Sequence, residues 1–302
     1  RRESLLATIP GGRGGALLLC AHVDTLGAMI RSIGPDGVLR LKQVGGYAPN
    51  SVEGEYCHVE TFDGTQIGGT IVFDRTSVHI YGSEKASCER TMDEMRLRLD
   101  EKLSGAEDAG KLGVSVGNYV HFEPRTVFTD SGYVKSRHLD DKAGVAVIVT
   151  MARALLRRGA KPRRTIHMLF TGFEEVGHGA SLPIPGDVTD LIAVDVGIVG
   201  EGQSSREDAV TICTADATGP FSYGLVRRIA AVAGDIGIPF ELDTFQRYGS
   251  DTMAALRTGI DARHALLGPA VDGSHALERT HMEGVMATLD LLIGLARMGL
   301  EP

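Results

Sequence analysis

Three short apolar runs constrain the fold of this chain more than any other feature. They are ALLLCA at 16–21, TIHMLFTGF at 165–173 and LIAVDVG at 191–197, and polar residues follow or end each of them. Runs that are apolar at nearly every position are typical of strands buried on both faces, as in parallel sheets. Segment 142–159 has apolar residues at helical spacing and basic residues before Gly159. This order predicts an α/β fold with a mixed, mainly parallel sheet flanked by helices.

Residues 31–126 follow a different pattern. Short β-like pieces alternate with Gly and Asp-Gly turns, for example GVLRLKQVGG, EYCHVETFDG, IGGTIVFD and SVHIYG. The pattern predicts a small antiparallel β-barrel or sandwich with exposed strand edges, interrupted by one amphipathic helix at 92–105. The parallel pattern begins before this region and resumes after it. We therefore expect an α/β domain formed by 1–30 and 127–302, with a small β-barrel domain of 31–126 inserted into it.

The C-terminal third returns to alternating elements. Helical spacing of apolar residues predicts helices at 222–237, 249–259 and 281–299, and the run ARHALLGP at 262–269 predicts a strand. These elements extend the α/β pattern to the end of the chain.

The composition argues against several classes of protein. The 302 residues carry a net charge of −8 without a Lys/Arg-rich block, so neither nucleic acid nor an anionic membrane is an expected partner. No apolar run is long enough to cross a bilayer. The four cysteines lie far apart without a CxxC pair, which argues against a zinc ribbon or a disulfide framework and favours a reducing cytoplasm. Because the sequence begins at Arg1, a removed signal sequence is an open alternative.

Polar residues stand at the ends of the predicted strands or in the loops that follow. They are His22, Asp24, Asp140, Asp141, Glu174, Glu175 and Asp195. Because buried parallel strands deliver side chains to a crevice at their carboxyl ends, we expect these residues to lie close together. So many carboxylates in one crevice would repel each other unless divalent cations were bound. Imidazole and carboxylates without thiolates favour zinc, cobalt or manganese, and a bridging carboxylate would allow two ions to share the site.

Each of these motifs alone has a simpler explanation. A single His-x-Asp is usually surface chemistry, Asp140–Asp141 is compatible with a helix N-cap, and Glu174–Glu175 with a solvated loop. Their joint occurrence after buried strands favours the metal site.

The same motifs occur in a known order. HVDTLG, RHLDDKAGV, TGFEEVGHGA, AVDVG and a late histidine resemble, over nearly the whole chain, the M42 family of dinuclear metallo-aminopeptidases, which includes glutamyl and tetrahedral aminopeptidases. The resemblance implies a zinc-peptidase-like fold with two divalent metal ions per subunit, zinc or cobalt first and manganese as a further option. It implies that His22, Asp140 and Asp195 hold one ion, that Asp140, Glu175 and His275 hold the other, and that Asp140 bridges them.

The resemblance also implies roles for residues that hold no metal. Asp24 would accept a hydrogen bond from His22 and orient it, since alternate residues of an extended segment point the same way. Glu174 would be the general base that takes a proton from the attacking water.

The loop RYGSDTMAA at 247–255 resembles a loop of the family near the substrate. This resemblance places Gly249, Ser250 and Asp251 in the substrate pocket. A helix N-cap role explains Ser250 equally well.

The last metal ligand has three candidates, His264, His275 and His281. The family has a His followed by Ser-Pro-x-Glu where this chain has HALERTH. His275 is favoured because it keeps the nearest spacing after GIDARHALLGP.

The function that fits best is a two-metal hydrolase that acts as an aminopeptidase on short peptides. One alternative is a deacylase or small-peptide hydrolase acting on a specific small amide, and another is a metal-binding scaffold without catalysis. Glu174 favours an enzyme, because a scaffold needs ligands but no base.

The sequence GVSVG at 113–117 fits the serine-hydrolase elbow, but strand-like NYVHFE follows it instead of a helix, so the serine-hydrolase class is not favoured. The resemblance further implies a homo-oligomer, a dimer or a larger closed shell, with 31–126 in the interface.

Overall fold

The computed structural model describes residues 3–157 and 159–299 of the chain. Contacts divide the chain into two compact units, one formed by Arg1–Thr25 and Thr126–Pro302 and the other by Leu26–Arg125. We call them the α/β unit and the barrel unit. The sequence placed the corresponding boundaries at 31 and 126. No helix of the described residues is long and apolar enough to cross a membrane.

The first two strands of the α/β unit precede the barrel unit. They are β1 (Leu5–Ile9) and β2 (Ala16–His22), and β2 is buried at every residue, as its continuous apolar run predicts. The elements of the barrel unit follow: β3 (Gly27–Ile33), β4 (Leu39–Val44), β5 (Tyr56–Glu60), β6 (Gln66–Phe73), α1 (Val78–Ala86), β7 (Met95–Leu99), α2 (Ala106–Lys111) and β8 (Tyr119–Phe122).

The six strands of the barrel unit close into a barrel in the order β3-β4-β7-β6-β5-β8, and every neighbouring pair is antiparallel. Alternate side chains such as Ile71 and Phe73 of β6 fill its interior. The barrel predicted from the sequence is confirmed, but the exposed strand edges are not present in the described barrel because closure pairs both sides of each strand.

Two local predictions inside this unit are wrong. Instead of a helix at 92–105, the structure has β7, in which Met95, Leu97 and Leu99 are buried while the intervening arginines face outward. Apolar residues that alternate with arginine have the period of a strand, and the charged residues around them gave a false helical pattern. The segment SVHIYG was expected to be β-like, yet it begins α1, a helix kinked at Gly82, where φ is 76°.

The rest of the α/β unit contains ten strands and four helices within the described ranges. They are β9 (Val127–Phe128), β10 (Tyr133–Ser136), α3 (Leu139–Arg157), β11 (Ile166–Thr171), β12 (Val188–Val194), β13 (Gly197–Val199), β14 (Val210–Asp216), β15 (Gly219–Pro220), α4 (Tyr223–Asp235), β16 (Phe240–Thr244), α5 (Asp251–Leu256), β17 (Arg263–Asp272), β18 (Glu278–His281) and α6 (Met282–Met298). The helices predicted at 142–159, 222–237, 249–259 and 281–299 and the strand predicted at 262–269 are confirmed.

The sheet of the α/β unit has the order β1-β11-β2-β12-β17-β18-β10-β9, with β13 and β14 joined to β17. Its central strands β11, β2, β12 and β17 are parallel, while β1 pairs antiparallel with β11 and β14 pairs antiparallel with β17. The fold is therefore mixed and mainly parallel at its centre, as predicted. Because β11, β2 and β12 are adjacent and parallel, their carboxyl ends meet at one edge, and Thr171 is in register with His22 there.

Two glycines permit close backbone approach near this edge. A Cβ at Gly144 of α3 would lie 2.0 Å from the carbonyl oxygen of Val194, and one at Gly268 of β17 would lie 1.9 Å from that of Asp195. Only glycine fits at these distances. Gly144 therefore allows α3, and Gly268 allows β17, to approach the backbone at the end of β12 closely.

Candidate metal centre

His22 is the last residue of β2 and only 1% exposed. Its Nε2 lies 2.9 Å from Oδ1 of Asp140, and its Nδ1 lies 3.1 Å from the carbonyl oxygen and 3.5 Å from Oδ1 of Asp24. The imidazole is therefore held on one side by Asp24 and faces Asp140 on the other.

Asp140 lies at the start of α3 between two imidazoles. One carboxylate oxygen faces His22, and the other lies 3.5 Å from Nε2 of His275. The peptide bond between Asp140 and Asp141 is cis. A carboxylate that presents each oxygen to a different imidazole has the arrangement required of a ligand shared by two cations.

The two adjacent glutamates follow β11 and are held through their backbone. Asp24 accepts the N–H of Glu174 with one oxygen and the N–H of Glu175 with the other, both at 3.1 Å. Oε2 of Glu174 lies 3.8 Å from Nε2 of His22, and Oε2 of Glu175 lies 3.6 Å from Nε2 of His275. Oε1 of Glu175 is buried and has no hydrogen-bond partner among the described residues. A buried carboxylate oxygen without a donor is suited to a cation.

Asp195 follows β12 and is also buried. Its Oδ1 accepts the N–H of Val196 at 2.7 Å, and its carboxylate also interacts with the Tyr248 side chain, whose hydroxyl donates to the Val196 carbonyl at 3.0 Å. Tyr248 was not predicted from the sequence.

Ligand atoms converge in two overlapping groups, each with its atoms within 4.8 Å of one another. The groups are His22, Asp140 and Glu175, and His22, Asp141 and Asp195. Asp141 is not among the metal ligands that the resemblance implied, although it belongs to the second of these groups. Its two oxygens already accept the N–H of His22 at 3.2 Å and of Gly144 at 3.0 Å, whereas those of Asp140 face imidazoles. This difference favours Asp140 as ligand and Asp141 as a support of the backbone.

The electrostatics of the cluster fall into two parts. Burial opposes the charge on His22, but hydrogen bonds to Asp140 and Asp24 outweigh it and raise the pKa of His22 well above its usual range. Burial also acts on Asp140, yet hydrogen bonds to His22 and His275 lower its pKa. These opposite pKa shifts favour an ion pair between the two groups.

The remaining carboxyls of the cluster have raised pKa values. Burial, followed by the charge of Asp140, raises the pKa of Glu175 to about 7 and that of Asp195 to about 8. Burial is also the largest cause that raises the pKa of Glu174 and Asp141 well above the usual carboxyl range. The cluster thus holds more carboxyls than its imidazoles neutralise, and divalent cations would offset the repulsion. Its imidazole and carboxylate donors fit zinc, cobalt or manganese.

The backbone is strained around this cluster. His138, Phe173 and His275 have positive φ values of 67°, 70° and 64° although none is glycine. His138 stands two residues before Asp140, and Phe173 stands directly before Glu174. His275 is itself a candidate ligand. Such conformations cost about 1–3 kcal/mol each and are typical of functional sites, where the surrounding structure enforces them.

The structure separates the three late histidines. His264 contacts the Ser222 hydroxyl through Nδ1 and packs against Phe221, while Nε2 of His281 contacts the carbonyl oxygen of Ser131 at 3.0 Å. Of the three, His275 is the one that lies beside Asp140 and Glu175.

A further residue at this site, Glu278, was not predicted. Its buried carboxylate accepts the N–H groups of Asp140 and His275 at 3.1 and 3.2 Å, and also that of Leu139. Burial, followed by the charge of Asp140, raises the pKa of Glu278 to about 8. The sequence signal was a glutamate three residues after His275, at the start of a strand.

The residues expected in the substrate pocket lie in and before α5. Gly249 is exposed, while Ser250 and Asp251 are buried. Asp251 accepts hydrogen bonds from the Thr171 hydroxyl and the Ala180 N–H, so it holds the loop that carries the two glutamates. Ser250 occupies the N-cap position of α5, but its hydroxyl pairs with that of Thr252 instead of capping the helix. Their role in substrate binding stays a prediction.

Comparison with known proteins identifies the family of this chain. The sequence profile of a family described as M42 glutamyl aminopeptidase matches residues 3–291. The chain belongs to this family. Among its relatives is the candidate aminopeptidase YhfE of Bacillus subtilis (strain 168), which is 42% identical over 292 residues, 96% of this chain and 84% of YhfE.

Solved structures support the M42 fold. The TET1 peptidase of Pyrococcus horikoshii superposes with a TM-score of 0.85 at 22% identity, covering 97% of this chain and 87% of that one. The aminopeptidase APDkam598 of Desulfurococcus kamchatkensis has a TM-score of 0.87 at 20% identity, covering 98% and 83%. At these identities the likeness concerns the fold, and it extends over nearly the whole chain.

Proposed function

We propose that this protein is an aminopeptidase that removes N-terminal residues from short peptides with the help of two divalent metal ions. The observation that carries the proposal is the position of Asp140, whose two carboxylate oxygens face His22 and His275. Family membership supports the reaction class.

The donor set supports two sites that share Asp140. His22, Asp140 and Asp195 would hold one ion, and Asp140, Glu175 and His275 the other. The unpartnered Oε1 of Glu175 supports its place in the second set. When bound, such ions polarise an amide carbonyl and lower the pKa of water.

Glu174 is the proposed general base. Its carboxyl lies beside His22, and burial raises its pKa above the usual carboxyl range. A carboxylate with a raised pKa is a stronger proton acceptor, as a general base requires. Its side chain keeps 16% of its surface exposed, while that of Glu175 keeps 4%. This difference supports a division of labour in which Glu174 moves the proton and Glu175 holds metal. Asp24 would fix both residues through their N–H groups.

Activity assays distinguish this function from its alternatives. We expect the purified protein, loaded with zinc, cobalt or manganese, to cleave aminoacyl-amides and tripeptides with a free N-terminus and to spare their N-acetylated counterparts. Chelation should abolish the activity and metal should restore it. A preference for the N-acylated compounds would identify a deacylase. A protein that binds metal and hydrolyses none of these compounds would be a scaffold.

We also propose that the chain forms a homo-oligomer through the barrel unit. The barrel unit exposes large apolar side chains, among them Phe62 at 79% and Ile80 at 75%, and exposed apolar surface of this kind is typical of protein interfaces. The TET1 peptidase of Pyrococcus horikoshii can assemble into a tetrahedron or a large octahedral shell. Light scattering tests the proposal, because a monodisperse species of 32.1 kDa at micromolar concentration would contradict it.

A further inference from the structure

Glu278 joins the two chain segments that carry Asp140 and His275. It is the first residue of β18 and only 2% exposed. Its Oε2 accepts the N–H of Asp140 at 3.1 Å and its Oε1 accepts the N–H of His275 at 3.2 Å. Both oxygens are thus directed at backbone, and each fixes a different candidate ligand.

The geometry of the two ligands depends on this arrangement. Asp140 and His275 are far apart in sequence, and their side chains approach to 3.5 Å. His275 and nearby His138 both have left-handed backbone conformations, which neighbouring contacts must enforce. A single carboxylate with one oxygen on each N–H sets the separation of the two backbones. Arg137, which donates to the carbonyl of Ala276 at 3.2 Å, links the same two segments a second time.

We propose that Glu278 is a positioning residue for the metal site shared by Asp140 and His275. It holds their backbones at the separation that two ligands of one ion require, and it contacts neither metal nor substrate itself. The inference rests on the proposed metal-dependent function. The competing explanation is that Glu278 only stabilises the fold.

Glu278→Gln tests the positioning role with little change in size. Glutamine has one acceptor oxygen, so one of the two N–H groups would face an NH₂ group instead. The readout is the affinity of the metal-free protein for Co²⁺, measured by calorimetry with both sites resolved. We expect the weaker site to lose about 10–100-fold in affinity, as is typical when a support of a metal ligand is removed. Activity should fall at limiting Co²⁺ and recover with excess Co²⁺, while KM changes little.

Asp243→Asn is the matched control. Asp243 is also a buried carboxylate of the α/β unit, and its Oδ2 accepts the N–H groups of Ser204 and Ser205 and the Ser205 hydroxyl. We expect this variant to lose stability yet keep both Co²⁺ affinities. Unchanged affinities in Glu278→Gln would overturn the proposal, and so would equal losses of affinity in both variants.

Two further measurements keep the test decisive. If Glu278→Gln does not fold, Glu278→Asp keeps the carboxyl group but is too short to reach both N–H groups, and the same loss of affinity is expected. Hydrogen exchange in the metal-free wild type should show protection of the Asp140 and His275 amides, and rapid exchange at both would contradict the clamp. Because these readouts need no peptidase activity, a protein with a Glu278-dependent metal site that cleaves no peptide would refute only the proposed function.

Discussion

The barrel unit and the α/β unit differ most in what they bury. Of the 23 buried polar or charged residues in the described chain, only Glu55, Thr61 and Asn118 lie in the barrel unit. Apart from Glu55, the described charged residues of the barrel unit are at least partly exposed, in pairs such as Arg40–Asp74 and Arg90–Glu53. The α/β unit instead buries several carboxyls at one edge of its sheet. Burying charge is costly unless it is compensated, so this contrast separates a unit shaped for stability from one that carries chemistry.

The contrast also predicts where cations act. Carboxyls whose pKa values are raised by burial are present in the α/β unit at Glu174, Glu175, Asp195 and Glu278. A bound cation would offset the cost of charging these buried carboxyls, so its effect is expected in the α/β unit. Substitutions in the two units should therefore differ in kind, with effects on metal and rate in one and on stability in the other.

Asp140→Ala should have the largest effect. Removing a carboxylate shared by two cations leaves them facing each other unscreened, so at least one ion should be lost. Activity should fall by more than the about 10²–10⁴-fold expected for loss of a general base. Elemental analysis after gel filtration measures the ion content, and Asp74→Ala on the outside of the barrel unit is the control. If Asp140→Ala still held two ions per chain, Asp140 would not be the bridging ligand, and Asp141 would be the next candidate.

Glu174→Gln should follow. Glutamine keeps the size and polarity of the side chain but cannot accept the proton, so turnover should fall by about 10²–10⁴-fold with both ions retained. Glu60→Gln in the barrel unit removes an exposed carboxylate that pairs with His121 and should leave turnover unchanged. Steady-state kinetics with a tripeptide measures both variants. Near wild-type turnover in Glu174→Gln would remove Glu174 from the role of base.

The parts of this contrast that sequence could predict follow from short-range patterns. The buried strands β2, β11 and β12 were predictable because their apolar runs are uninterrupted, and the strand-end rule then placed His22, Glu175 and Asp195 together. Strand β7 was missed because its arginines alternate with apolar residues inside a charged segment. The apolar residues of β7 recur at every second position, as in a strand, but this spacing was mistaken for the helical period of 3.6 residues.

The contacts that shape the site were less accessible. Asp24 and Glu278 act on backbone N–H groups of segments distant in sequence, and such groups leave no trace in side-chain patterns. Tyr248 reaches Asp195 only because the loop before α5 passes that strand end. His275 was favoured by spacing alone, and its left-handed backbone was not foreseeable from sequence.

Phe73→Ala tests the opposite side of the comparison. Phe73 is fully buried in the barrel, and its ring also lies 4.3 Å from the Arg90 guanidinium. Its truncation should lower the free energy of unfolding by about 3–5 kcal/mol, the usual cost of a large cavity. Denaturant unfolding followed by circular dichroism measures the loss. The folded variant should keep wild-type Co²⁺ affinity, and a weakened metal site would show that the two units are not energetically separate.

The smallest effect concerns pH and a histidine of the α/β unit outside the metal centre. Burial lowers the pKa of His264, an effect that the charge of Asp216 only partly opposes. The unfolded chain therefore binds a proton at His264 more readily than the folded one, so this contribution to stability is complete above the ordinary histidine pKa of about 6.5 and is lost as pH falls below it. His264→Gln is neutral at every pH and should show a smaller drop in thermal midpoint between pH 7.5 and 5.5 than the wild type. The carboxyls of the metal centre titrate in both proteins, so the difference between the two drops isolates His264. If the thermal midpoint dropped equally in both proteins, His264 would not contribute to the acid sensitivity of the α/β unit. That sensitivity would then come from its other titratable groups, above all those of the metal centre, and the contrast with the barrel unit would be sharper.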